Sequence, residues 1–167
     1  LSGAAYVVDS LADVVAADGV ITLREAIEAA NTNTAVTADV AAGSATETDS
    51  ITFDVAALQA EAGEGQPLVI ALGGTLLRIA DELDLTGPGP EVLTLRAAFR
   101  HRVLMVNEGV EASISGLTIT GGNVPQSQGG GIFNAGNLTL SNAVVSGNTA
   151  ESGGGIYTDD YGTVSLT

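Results

Sequence analysis

The chain has no cysteine, no lysine and no tryptophan. Without cysteine there is no disulfide framework, no thiol nucleophile and no thiolate metal site. Without lysine, the positive charge is five arginines against twenty acids, a net charge of −15. Nucleic-acid binding needs a basic face, so no nucleic-acid partner is expected. Aromatic residues make up 4% of the chain, and aliphatic side chains must therefore fill any core. No apolar run reaches the ~18 residues of a membrane span, so none is expected. His101 is the only histidine. One imidazole without a fixed partner defines neither a triad nor a zinc site.

What is present is 45% hydrophobic residues, 22 glycines and a repeat. Gly129-Gly130-Gly131-Ile132-Phe133 returns 24 residues later as Gly153-Gly154-Gly155-Ile156-Tyr157. Ile114-Ser115-Gly116-Leu117-Thr118-Ile119-Thr120 is matched by Leu140-Ser141-Asn142-Ala143-Val144-Val145-Ser146 at an offset of 26. Short β-branched runs broken by Gly and Asn at such a period mark a solenoid. The fold class is therefore all-β, a parallel β-helix of roughly five coils of about 24–26 residues. Residues 1–50 are expected to hold a strand, a capping helix over 22–31 and a loop, and residues 51–167 the coils.

The helix is read from its signals. Thr22 is an N-cap and Glu25, three positions on, completes a capping box. Leu23, Ala26, Ile27 and Ala30 give one apolar stripe, and Asn31 is read as its stop. Glu25 is assigned to the cap and Arg24 to an anchoring salt bridge. The helix is expected to shield an open sheet edge. Alternation in the repeats sends Leu138, Leu140, and Val144 or Val145 inward. Each coil bends where glycine supplies an unusual backbone angle, at Gly121, Gly129, Gly130, Gly131, Gly147, Gly153, Gly154 and Gly155. Asn123 and Asn148, one coil apart, are candidates for an internal amide ladder. The last residues, Gly162-Thr163-Val164-Ser165-Leu166-Thr167, read as strand with no cap after them. The expectation is either a longer parent chain or self-association through that open coil. Leu1-Ser2-Gly3-Ala4-Ala5 has the small residues found near a signal-cleavage site.

Asp18-Gly19-Val20-Ile21-Thr22-Leu23-Arg24-Glu25-Ala26-Ile27-Glu28-Ala29-Ala30-Asn31 resembles the CSLREA-type motif of bacterial secreted repeat proteins. Ser146-Gly147-Asn148-Thr149-Ala150 with Gly153-Gly154-Gly155-Ile156 is similar to repeats of the polymorphic outer-membrane proteins. The resemblance covers nearly the whole chain. It implies a right-handed parallel β-helix from an exported, surface-attached bacterial protein, adhesin-like in role. Ile21 or Thr22 stands where the motif has cysteine, and Val145 where the repeat usually has Phe before Ser-Gly-Asn. The family supplies no agreed catalytic residues, so none is carried over.

Some parallel β-helices are polysaccharide lyases, which use acids to hold calcium and a basic residue to take a proton. The candidates here are Arg78, Arg96, Arg100, His101 and Arg102, with Asp81, Glu82, Asp84 and Glu91 nearby. Glycoside hydrolysis would need two carboxylates at a set separation. Asp81 and Glu82 are adjacent, and on a strand they point to opposite faces. Calcium wants six to eight oxygens, and Asp159-Asp160 do not supply them. No catalytic residue, metal site or cofactor is assigned. Thr118, Thr120 and Thr139 offer the start of a hydroxyl face for a glycan. The reading adopted is a non-catalytic structural or adhesive segment of an exported cell-surface protein that assembles end to end into a fibre. A polysaccharide lyase fragment and a glycan- or calcium-binding module are the alternatives, with surface glycans as partners.

Overall fold

The structure, a computed structural model, describes residues 2–167, so Leu1 of the small-residue N-terminal tail lies outside it. The chain opens with strand β1 (Ala5–Val8), helix α1 (Leu23–Thr32), strand β2 (Asp49–Phe53) and helix α2 (Val55–Ala62). A first turn of solenoid follows as β3 (Leu68–Leu72), β4 (Leu77–Ile79) and β5 (Leu83–Thr86). The second is β6 (Leu93–Ala97), β7 (Leu104–Val106) and β8 (Glu111–Ser115). The third is β9 (Thr118–Thr120), β10 (Asn123–Gln128), β11 (Ile132–Asn134) and β12 (Asn137–Ser141). The fourth is β13 (Val144–Val145), β14 (Thr149–Ser152), β15 (Ile156–Thr158) and β16 (Thr163–Leu166).

Like strands of successive turns pair in parallel and build three sheets. The first runs β1-β2-β5-β8-β12-β16, the second β3-β6-β9-β13 and the third β4-β7-β11-β15. A short β10-β14 pair fills a corner of the last two turns. The protein is thus a nearly all-β parallel solenoid of about four turns. The sequence spacing pointed to roughly five. The difference lies in β2, which extends the first sheet but has no companions in the other two. Where a further turn would run, residues 54–67 form α2 and its loops.

The core is a set of aliphatic ladders. In the first sheet Tyr6, Ile51, Leu85, Ile114, Leu140 and Leu166 stand in register, one per strand. In the second, Ile70, Leu95, Ile119 and Val145 do the same. Period-2 alternation puts these residues inside and Thr, Ser, Asp and Arg outside. Each fully buried Leu or Ile contributes about 1.5–3 kcal/mol. Stacking identical shapes at strand spacing explains why so few aromatics suffice. The inward pattern holds for Leu138 and Leu140, and Val145 packs on the core while Val144 is exposed.

The glycine triplets are corners where two turns touch through backbone. Gly129, Gly130, Gly131 and Ile132 donate to the carbonyls of Ser152, Gly153, Gly154 and Gly155. A Cβ on Gly131 would lie 2.5 Å from the Gly155 oxygen, closer than any side chain tolerates. Gly129 and Gly153 share a left-handed φ, 66° and 60°, which only glycine adopts without cost.

Three local expectations are corrected. Helix α1 passes Asn31 and stops at Asn33, whose αL conformation forms the C-cap. Asn31 instead uses its amide against a neighbouring strand. Asn123 and Asn148 form no ladder, because the register pairs Asn123 with Thr149. Asn148 bridges turns, accepting from the Gly122 N–H and donating to the Ile119 carbonyl. Helix α2 was not anticipated, although Asp54 caps it by accepting from the Ala57 N–H.

Candidate functional site

The strands of the first and last turns carry different surroundings. At the N-terminal end, α1 lies against β4, the outermost strand of the third sheet. The expected capping box is present. Glu25 N–H donates to Thr22 Oγ1 (3.1 Å) and Thr22 N–H to Glu25 Oε2 (2.9 Å). Glu25 is 0% exposed, and its second oxygen accepts from the Ala16 N–H. Leu23 and Ile27 are buried below it. Arg24 pairs with Asp13 at 2.8 Å and donates from the same guanidinium to the Thr75 and Leu76 carbonyls. Asn31, two turns further along the same helix face, donates to the Arg78 carbonyl (2.7 Å) and accepts from the Ala80 N–H (2.8 Å). Asn31 thus gives the edge at Arg78 and Ala80 hydrogen bonds that a neighbour strand would have made, and Arg24 ties down the turn leading into β4. Among the described residues this is what shields the edge.

Elsewhere at that end α2 covers β3, while β1 pairs only with β2. Leu58 of α2 is fully buried and α2 packs on β3. Asp49 accepts from the Ala4 and Ser44 N–H groups. Tyr6 is 3% exposed and donates to the Ala41 carbonyl. Burial, and secondly the Asp49 charge, push its phenol up to about 12.

The fourth turn is the last of the described turns. β13, β14, β15 and β16 each pair on one side only. Leu166 ends the first-sheet ladder at 63% exposure, where Leu140 one turn below is 6% exposed. Leu140, Ala143, Val145, Ile156 and Leu166 line a shallow depression of about 380 Å³. The third turn holds one fully buried polar side chain, Asn134, which sequence reasoning missed. It sits at an inward position over Val106 and is 0% exposed. Its amide accepts from the Gly136 N–H and donates to the Thr163 carbonyl, tying the fourth turn to the third. Its position on the inward side of the Ile132-Phe133-Asn134 alternation was the available signal.

The residues weighed for lyase chemistry do not converge. Arg78 lies on β4 beside Met105, Arg96 on β6 beside Ala71 and Thr120, and Asp84 on β5 beside Ser50 and Ser113. These are three different sheets. Asp81 accepts from the Asn33 amide, and Glu91 lies in the turn before β6. Thr118 and Thr120 are on the second sheet and Thr139 on the first, so they share no face. Asp159 is used locally, accepting from the Tyr161 and Gly162 N–H groups. Among the described residues no three His, Asp or Glu side chains are placed to hold a metal ion. No helix among them is long and apolar enough to cross a membrane.

The arginine–histidine run is instead a corner of the second turn. His101 places its ring nitrogens at the Arg102 carbonyl (2.6 Å) and the Leu72 carbonyl (3.3 Å). Arg102 donates to the Gln128 carbonyl and Ser127 Oγ, and its guanidinium carbon lies 5.1 Å from the Phe133 ring centre. Partial burial lowers its pKa. Phe133 stacks in turn on Tyr157, one turn on, at 5.6 Å. No family model, characterised protein or solved structure matches the chain.

Proposed function

We propose that this chain is a non-catalytic structural or adhesive segment of an exported cell-surface protein, of the CSLREA-type kind. Its working surface in assembly is the face of the fourth turn. The observation that carries this reading is the regular stack, in which each turn pairs in parallel with the next through the same three sheets. At the first turn α1, Arg24 and Asn31 lie over β4, while the strands of the fourth turn surround an apolar depression. A strand edge without a neighbour is a template for further strand pairing. The fourth turn ends in the same three sheets as the third, and across a two-fold axis its edges would meet those of a second copy antiparallel.

The occupant we assign is a second copy. α1, with Arg24 and Asn31, covers β4 at the first turn and stands in the way of simple head-to-tail stacking, so the contact we propose is between the fourth turns of two copies. Such an isologous contact closes on itself. Light scattering over a concentration series tests it. Mass should climb from one chain to two, and Leu166→Lys should hold the protein at one. A single-chain mass at every concentration sinks the assembly reading.

A further inference from the structure

We propose that the groove between the Phe99–Arg102 corner and β10 binds a carboxylated sugar. It does not rest on the assembly reading, because none of its residues lines the depression of the fourth turn. The groove holds about 540 Å³ and is lined by Arg100, Asn123, Val124, Pro125, Gln126 and Ser127. That is within the usual range for a small-ligand site, about 300–1,000 Å³.

Charge selects the ligand. The chain carries twenty acids, yet among the described residues the one ion pair is Arg24–Asp13. Arg100 is exposed, has no acid partner, and faces a groove whose lining contains no Asp or Glu. A guanidinium at the mouth of an acid-free groove matches a carboxylate, which it can hold through two parallel hydrogen bonds. The side chains of Asn123, Gln126 and Ser127 supply donors and acceptors for hydroxyl groups. Pro125 and Val124 of the lining supply apolar surface for the C–H face of a pyranose.

Both walls are fixed in advance, which lowers the ordering cost of binding. The Arg100 corner is held by His101 N–H to the Phe99 carbonyl (2.9 Å) and by the His101 ring, one nitrogen of which donates to the Arg102 or the Leu72 carbonyl. The opposite wall is held by Arg102, which pins Ser127 and Gln128. An extended acidic peptide fits less well. Strand addition needs a straight edge of free N–H groups. β10 departs from register between Val124 and Gln128, and Pro125 has no N–H.

Calorimetry with trigalacturonic acid and its methyl ester tests the proposal on the intact chain. The acid should bind, with the ester weaker by about tenfold or more, the worth of one charge-assisted contact. Arg100→Gln should cause the same loss without lowering the melting temperature, and Arg100→Lys should restore part of it. Arg96→Gln, on the second sheet and outside the groove, should bind like the parent. Equal binding of acid and ester, an unaffected Arg100→Gln, or no binding by the parent at about 10 mM acid overturns it. So does preferential binding of an Asp/Glu-rich peptide at the same site.

Discussion

Replacing Asn31 by alanine should loosen β4 and little else. Asn31 makes two hydrogen bonds to the free edge of that strand, at 2.7 Å and 2.8 Å. A typical net bond is worth about 0.5–1.5 kcal/mol, so both together are worth about 1–3 kcal/mol. Ala80 is half-buried, and Arg78 is exposed on its outer side. Water can therefore replace part of the loss, and the lower half of that range, about 1–2 kcal/mol, is the expectation. The inner edge of β4 keeps its pairing with β7. In a solenoid each turn leans only on its neighbours, so the damage should stay local. Amide exchange at Ala80 reads it directly. A cost of 1.4 kcal/mol speeds exchange about tenfold if opening is local. Asn31→Asp keeps the acceptor for the Ala80 N–H but loses the donor to the Arg78 carbonyl, so it should protect Ala80 better than alanine does. Unchanged Ala80 exchange and an unchanged urea midpoint in Asn31→Ala would refute the idea that this side chain stands in for a strand.

Three further outcomes follow from the same structure. Thr22→Ala should lower stability by about 1 kcal/mol, the usual worth of an N-cap, seen as a shift in urea midpoint. Gly131→Ala should cost more than Thr22→Ala in the same assay, because its Cβ meets the Gly155 backbone oxygen at 2.5 Å and no side chain can move aside. Tyr6 gives a pH signature. Its phenol is raised from 10.0 to about 12, so the folded state holds the proton more tightly than the unfolded one. Its contribution is complete below pH 10 and falls away as pH rises through 12, by about 2–3 kcal/mol. Tyr6→Phe should flatten that part of the stability profile, while losing the Ala41 bond at neutral pH.

Much of the fold was legible because it is repetitive. Period-2 alternation and the glycine triplets specify the same backbone twice, and the structure stacks Ile132 on Ile156 and Leu138 on Val164 accordingly. The helix cap was legible because the Thr22–Glu25 box is local chemistry. Function of side chains across turns was harder to read. Asn31 looked like a stop signal, since nothing in a single sequence tells that β4 lies beside it. Asn123 and Asn148 looked aligned by spacing, yet the register there pairs Asn123 with Thr149 and sets Asn148 beside Gly122, one position away. Arg78 and Arg96 are weighed together as candidates for one site. Spacing does not say which sheet a residue joins, and they sit on the third and second sheets. The groove at Arg100 depends on a corner that is short in the second turn and carries β10 in the third. That contrast between turns is invisible in a search for likeness between them.

Amide hydrogen exchange across the whole chain, run dilute and then concentrated, tests the central claim of an assembly face on the fourth turn. In dilute solution β1, β4 and the middle strands β6, β7 and β8 should exchange slowly, and β13 to β16 fast. Raising the concentration should protect β13 to β16 alone. Protection of those four strands equal to that of the middle turn in dilute solution, or concentration-dependent protection at α1 and β4, would contradict the account.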